Sequence, residues 1–280
     1  MIQGSQDDSG PLFSVIIPTY NRPELLAEAI TSVLNQTVGD LECLVIDDHS
    51  PQPVEAPMTD PRLKIIRHDI NRGGTVARNT GLAHARGTFV AFLDDDDVWT
   101  PRRLEYALAG LKSAPVTVCL RAGFDQSVGA PMNLNGDVRH KIANGVTPHL
   151  GQTALRRSIA PTFDERFDAS EDVDWWIRLA HSARVSTVSE LGLRYRQHDG
   201  PRNLNDTGAR LAGGRLLLSV HADYFRSHRR AHSFRWKRIG LASTRVGDSA
   251  GARRAFVRAM RLWPDPSAAV HALRTLRRSS

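Results

Sequence analysis

Apolar residues come in short blocks separated by polar, Gly- and Pro-containing loops, and the period of each block predicts its element. Phe13 to Thr19 is apolar and β-branched, the pattern of a parallel strand buried on both faces. Tyr20-Asn21-Arg22 interrupts it, and Pro23 suits the first turn of a helix. Leu26, Ala29, Ile30, Val33 and Leu34 repeat at helical spacing until Asn35-Gln36. Leu41 to Asp47 and Leu63 to Arg67 predict two more strands. Gly73-Gly74 opens a second helix to about Ala85, where Ala77 and Gly81 allow close packing on a sheet. Gly87 breaks that helix, and Thr88 to Leu93 predicts a fourth strand that runs into Asp94-Asp95-Asp96-Asp97. Strands alternating with helices imply an α/β fold with a doubly wound, mostly parallel sheet. Ligands of such sheets bind beyond the carboxyl ends of the strands. Thr19 to Arg22, Asp47-Asp48 and Asp94 to Asp97 all fall at those ends.

The pattern weakens further on. Short strands are expected near Val116–Arg121, Leu150–Arg156, Val185–Val188 and Leu193–Tyr195. Asp172 to His181 reads as a helix with Trp176, Leu179 and Ala180 on one face. Beyond Asp206 the chain reads as all helix. Ala252, Ala255, Phe256, Ala259, Met260 and Trp263 form one apolar face, with Arg253, Arg254, Arg258 and Arg261 off it. Pro264-Asp265-Pro266 ends that helix, and Ala269, Ala272, Leu273 and Leu276 start another. The expected organisation is a flexible stretch at 1–12, an α/β domain at 13–203 and a basic helical region at 204–280.

Composition adds one asymmetry. The 280 residues are 41% hydrophobic and 24% charged, ordinary for a soluble globular protein. The net charge of +7 hides a division: residues 201–280 carry 17 Lys+Arg against 4 Asp+Glu, a net +13, which leaves the first 200 at −6. No apolar stretch approaches the roughly 20 residues of a membrane-spanning helix. The polar start, Met1 to Gly10, lacks a signal-peptide core. An intracellular, cytoplasmic location is therefore expected. Cys43 and Cys119 sit in strand-like runs and read as small buried hydrophobes.

Four consecutive carboxylates repel one another and raise one another's pKa, so a fold accepts them where a cation sits among them. Hard divalent ions such as Mg²⁺ take carboxylates together with substrate phosphates. Residues two apart on an extended chain point the same way, which pairs Asp94 with Asp96 and leaves Asp97 for a structural role, capping a helix that starts at Pro101.

The ordered set Val15-Ile16-Ile17-Pro18-Thr19-Tyr20-Asn21-Arg22, Val45-Ile46-Asp47-Asp48-His49-Ser50, Asn71-Arg72-Gly73-Gly74, Ala77-Arg78-Asn79-Thr80-Gly81-Leu82, Phe92 to Asp97 and Ser170-Glu171-Asp172-Val173-Asp174-Trp175-Trp176 resembles the family 2 glycosyltransferases. The resemblance covers Phe13 to about His198. It implies the Rossmann-like, type A nucleotide-diphospho-sugar transferase fold, carrying here a C-terminal helical appendage, and inverting transfer of a sugar from a nucleotide diphosphate donor to an acceptor hydroxyl. It places Pro18, Thr19, Tyr20 and Arg22 in the nucleotide pocket, with Asp48 accepting a base N–H, which favours UDP or dTDP. Asn71 and Arg78 contact base or diphosphate, unless Arg78 lies on a solvated helix face. Asp94 faces ribose or metal, Asp95 falls beside the nucleotide, and Asp96 ligates Mg²⁺ or Mn²⁺ bridging the phosphates. Asp172 matches the general base, with Glu171 and Asp174 as local competitors. Trp175 and Trp176 offer either a flat face for a sugar or core packing. Arg196-Gln197-His198 resembles a late motif, with His198 on metal or phosphate; the other histidines show no metal-site spacing.

Two alternatives compete with sugar transfer. A non-catalytic nucleotide-sugar-binding protein needs no base, and Asp172 argues against it. A nucleotidyltransferase usually has a Gly-rich basic loop after the first strand, where this chain has Pro18-Thr19-Tyr20-Asn21-Arg22. The acceptor is open: a saccharide, a lipid-linked sugar or a small molecule. The basic tail either touches an anionic membrane peripherally or packs on the acidic domain and solvent. Nucleic acid is a poorer partner, since no binding module is recognisable.

Overall fold

Seven wholly buried residues, Phe13–Thr19, form β1, and Leu41–Asp47 form an equally buried β2 beside it. The computed structural model describes residues 10–125, 127, 132–196, 207–264, 267 and 270. Within them the chain divides into two compact units.

The first unit comprises the chain up to Gly136 with Pro148–Thr162 and Ala183–Gln197. It holds an eight-stranded sheet. β3 (Leu63–Arg67), β2, β1 and β4 (Phe89–Phe92) run parallel, in that order. β7 (Thr153–Arg156) then pairs antiparallel with β4 and with β6 (Val116–Gly123). β8 (Val185–Tyr195) lies parallel to β6 and takes β5 (Val98–Trp99) on its other edge. The two short strands expected at 185–188 and 193–195 are thus one strand, whose pairing with β6 shifts register between Val118 and Arg121. The shift interrupts the alternation that a sequence pattern relies on. Leu150–Gln152, expected as strand, is a 3₁₀ turn ahead of β7.

Helix faces follow strand alternation. Phe13, Val15 and Ile17 of β1 share a core with Leu26, Ile30 and Val33 of α1 (Pro23–Leu34) and with Leu104, Ala107 and Leu111 of α3 (Arg103–Leu111). Ile16 faces the other way, toward α2 (Gly74–His84). A Cβ at Gly81 would stand 2.3 Å from Ile16 Cγ2, so only glycine permits this approach of α2 to β1. Cys43 and Cys119 are buried and free, and burial pushes the Cys43 thiol up to about 12.

The second unit comprises Asp137–Thr147, Phe163–Ser182 and the chain from His198 on. α4 (Arg139–Ala143), α5 (Glu171–Ser182), α6 (Thr207–Val220), α7 (Ala222–Ser227), α8 (Arg229–Arg245) and α9 (Ser249–Leu262) are its described helices. Ala252 and Phe256 of α9 pack with Leu241 of α8, where Gly240 leaves room for the Phe256 ring. Asp248 caps α9 by accepting from Gly251 N–H at 2.7 Å. Of the further helix expected from Ala269 to Leu276, Val270 alone falls among the described residues.

Candidate active site

Three loop beginnings stand in register at one end of the parallel strands. Thr19 pairs with Asp47 across β1 and β2, and Asp48 N–H donates to Thr19 O at 2.9 Å. Leu93 N–H donates to Ile16 O, which brings the acidic run alongside. Two residues that are not glycine adopt left-handed backbone here, Asn21 (φ 55°) and His49 (φ 66°). Asn21 N–H is held by the Ser50 hydroxyl at 2.9 Å, which ties the β1 loop to the β2 loop. Left-handed non-glycine residues of this kind concentrate at functional loops.

The four aspartates do not continue as a strand. Asp97 N–H donates to Asp94 O at 3.1 Å, closing a turn over Asp95-Asp96. The extended alternation that paired Asp94 with Asp96 is therefore absent, and each carboxylate goes its own way. Asp95 is buried and accepts from the Thr19 hydroxyl at 2.7 Å and Arg22 Nη1 at 2.9 Å. Arg22 Nη1 also reaches Asp96 at 3.0 Å. Burial pushes Asp95 up to about 6, Asp96 adding to the shift while Arg22 and Thr19 oppose it. Asp94 accepts from Arg78 Nη2 at 2.8 Å. Burial works against its charge, but Arg78, His149 and Arg22 outweigh it and hold its pKa below the ordinary carboxylate value. Arg78 thus turns inward onto the acidic run and does not lie on a solvated helix face.

Asp97 does not cap α3. That helix starts at Arg103, with Arg102 at the cap position and no side-chain capping bond. Asp97 is fully buried and accepts from Arg196 N–H at 3.0 Å. Arg196 Nε also donates to Asp96 O at 3.2 Å, so the late motif does reach the acidic turn through its arginine. His198 lies outside the described residues.

Sequence reasoning missed His149. Its Nε2 stands 3.4 Å from Asp94 Oδ2 and its Nδ1 3.7 Å from Asp97 Oδ2. Gly151 N–H donates to Nδ1 at 3.2 Å and the Tyr195 ring packs edge-on at 5.4 Å, which fixes the imidazole plane. Asp94, Asp97 and His149 each offer one ligand atom within 4.8 Å of the others. Two carboxylates and an imidazole suit Mg²⁺ or, with the nitrogen donor, Mn²⁺. Thr147-Pro148-His149 has no periodic signal; only the capping pattern with Gln152 marks it locally.

Asp48 is buried rather than open to a base. Its oxygens accept from Arg72 N–H at 2.9 Å and Gly73 N–H at 2.6 Å, and His68 Nδ1 lies 2.8 Å away. Gly73 needs its positive φ of 86° to turn its N–H inward. Asp47 accepts from Ser50 N–H and from Arg67. Pro18 and Thr19 are buried, while Tyr20 and Asn71 are exposed at the loop surface.

In the second unit, Asp172 lies in the first turn of α5, half-buried, after Ser170 in left-handed backbone (φ 71°). Its competitor Asp174 is fully buried and accepts from Arg178 Nη2 at 2.6 Å and His221 Nε2 at 2.8 Å. Burial opposes its charge, but His221 and Arg178 prevail and lower its pKa. Such a tied carboxylate is a poor proton acceptor. Trp175 and Trp176 are both fully buried, with Phe163 stacked on Trp175 at 5.4 Å, so neither offers a face to a sugar.

The chain resembles known proteins over this same ground. A model described as glycosyl transferase family 2 matches residues 14–159. WcaA of Escherichia coli K12, described as a putative colanic acid biosynthesis glycosyl transferase, is 40% identical over 187 residues, 61% of this chain and 67% of its own. WfgD of E. coli, a UDP-Glc:α-D-GlcNAc-diphosphoundecaprenol β-1,3-glucosyltransferase, is 39% identical over 101 residues, 35% of this chain and 40% of its own. The Staphylococcus aureus TarS 1–349 structure with UDP-GlcNAc superposes with a TM-score of 0.68 at 19% identity, covering 95% of this chain and 89% of that one. The Pyrobaculum calidifontis mannosyltransferase with GDP-Man and Mn²⁺ gives 0.60 at 20% identity, covering 94% and 79%. The two structures establish the shared fold, and the family match, which takes in just over half of the sequence, establishes the lineage: the chain belongs to glycosyl transferase family 2.

Proposed function

We propose that the protein transfers a sugar from a nucleotide diphosphate donor to an acceptor hydroxyl, with inversion and with a divalent cation. The observation that carries this reading is the meeting of Thr19, Arg22, Arg78, the Asp94–Asp97 turn and His149 at the carboxyl ends of β1 and β4. A crevice in that position suits a dinucleotide-like ligand. Arg22 and Arg78 lie beside the carboxylates and can meet phosphate oxygens as well. Asp94, Asp97 and His149 are the residues to hold Mg²⁺ or Mn²⁺, which would supply Lewis-acid neutralisation of the departing diphosphate. Asp48, with both oxygens engaged, serves by ordering the Arg72-Gly73 backbone at the base pocket. Asp172 is the base that takes the acceptor's proton, by its motif and by the commitment of Asp174 elsewhere. Attack opposite the diphosphate then inverts the anomeric centre. UDP or dTDP is the favoured nucleotide, in keeping with the UDP-sugars named for WfgD and TarS.

Product analysis tests this against both alternatives. Incubation with UDP-, dTDP- and GDP-sugars and Mn²⁺ should release nucleoside diphosphate, fastest with a pyrimidine donor. Pyrophosphate release would indicate nucleotidyl transfer, and tight binding without turnover a non-catalytic role.

The basic helices suggest where the protein works. Arg253, Arg254, Arg258 and Arg261 of α9 are exposed, as is Trp263 beyond it. No described helix is long and apolar enough to cross a membrane. Peripheral contact with an anionic membrane surface fits this combination. Sedimentation with phosphatidylglycerol vesicles at low salt should pellet the protein, and salt should release it. Failure to pellet at low salt removes the membrane contact.

A further inference from the structure

The helical unit contains a buried arginine whose hydrogen-bonding edge has no acceptor among the described residues. Arg235 of α8 is 9% exposed, and its Nε and Nη2 are buried with no hydrogen-bond partner among the described residues. These two nitrogens form the fork that clasps a planar oxyanion through two parallel bonds. The chain uses the same fork repeatedly: Arg62 on Asp60, Arg102 on Glu105 and Arg166 on Asp164. Each of those pairs satisfies itself within the protein, whereas the Arg235 fork has no partner among the described residues. A buried guanidinium without acceptors is among the costlier things a fold can keep, and its retention calls for an explanation.

The surrounding charge deepens the imbalance. Arg238 repels Arg235, and Arg210 is in turn repelled by Arg238 and Arg245. Asp172 attracts Arg235, yet the Asp172 carboxylate takes its hydrogen bond from Val173 N–H at 2.7 Å. Tyr224 and the face of Phe234, 5.4 Å from the guanidinium carbon, complete the neighbourhood. Burial first, then Arg238, lowers the Arg235 pKa to about 10, which leaves it charged at neutral pH. Arg235 feels Arg238, and Arg238 in turn feels Arg210, which also feels Arg245; Asp172 is the one described carboxylate that acts on Arg235. That positive excess suits a phosphate or diphosphate better than a single carboxylate.

We propose that Arg235, supported by Arg210, Arg238 and Arg245, binds a phosphoryl group carried by the acceptor substrate. Assigning the group to the acceptor rests on Asp172 as the base, because a molecule that presents its hydroxyl to Asp172 brings its neighbouring groups within reach of Arg235. The acceptor is then a phosphorylated or diphosphorylated saccharide, not a neutral one.

The test is calorimetric titration of the full chain with inorganic pyrophosphate in EDTA, which prevents capture of the probe through a divalent ion. Wild type should bind, Arg235→Gln should bind at least tenfold more weakly, and Asp172→Asn severalfold more tightly because a nearby negative charge is gone. Arg235→Gln and Arg235→Met should melt at or above the wild-type temperature, since they delete an unsatisfied buried cation. Sedimentation with anionic vesicles should be the same for wild type and Arg235→Gln, which separates this site from surface attraction to lipid. Equal pyrophosphate affinity in wild type and Arg235→Gln overturns the proposal. So does a fall of many degrees in the melting temperature of both Arg235 variants, which would make the residue a structural cation. The two ideas fail separately: if Asp172→Asn transfers sugar at the wild-type rate, the base is lost while the titration still decides for or against a phosphoryl site at Arg235.

Discussion

Asp172→Asn is expected to slow sugar transfer by about 10² to 10⁴-fold, the usual worth of a positioned general base, while Mn²⁺-dependent donor binding stays near wild type. An acceptor hydroxyl is a weak nucleophile until its proton leaves, and asparagine offers no site for that proton. Asparagine keeps the size of the side chain and an oxygen for Val173 N–H, so α5 should be undisturbed. Asp174 cannot substitute, because it is buried beneath Arg178 and His221. Single-turnover measurement with a preloaded donor separates chemistry from binding. Transfer at the wild-type rate by the variant would sink the assignment.

Metal binding is the second large effect. Asp94→Asn, Asp97→Asn and His149→Ala should each weaken Mn²⁺ affinity at least tenfold, on the order of what supporting changes in metal sites cost. Asp96→Ala should do less, because Asp96 meets Arg22 where the other three meet one another. Calorimetry with Mn²⁺ in the presence and absence of a UDP-sugar provides the ranking. The reverse ranking, with Asp96→Ala the most damaging and His149→Ala silent, would show that the ligands are those of an extended Asp-x-Asp and not those of the turn. The Asp97 variant has a further cost, since Asp97 is fully buried and orders Arg196.

The parallel half of the sheet is legible in the sequence. β1, β2, β3 and β4 lie within a residue of their expected bounds, and α1 buries the five residues its period singled out. β1 and β4 are almost wholly apolar and buried, and the apolar positions of β2, β3 and α1 recur often enough to show each element's period. The mixed half was less legible. β8 changes register partway, so its two ends read as separate strands, and β5 is two residues long and leaves no periodic trace.

By itself the sequence determined the order of strands and helices and therefore the end of the sheet at which the polar loops gather. It also determined the family, because motif residues keep their order along the chain whatever their side chains touch. Only the tertiary structure decided which groups meet. A single turn bond from Asp97 to Asp94 rotated the acidic run out of alternation and sent Asp95 and Asp96 to Arg22. His149 joined Asp94 and Asp97 from a segment without a pattern, and His221 reached back to occupy Asp174. Arg235 stands beside Arg238, with no acceptor for its fork among the described residues. Partnerships of this kind depend on backbone turns and on approaches between residues distant in the chain, and hydrophobic period records only which side of an element is buried.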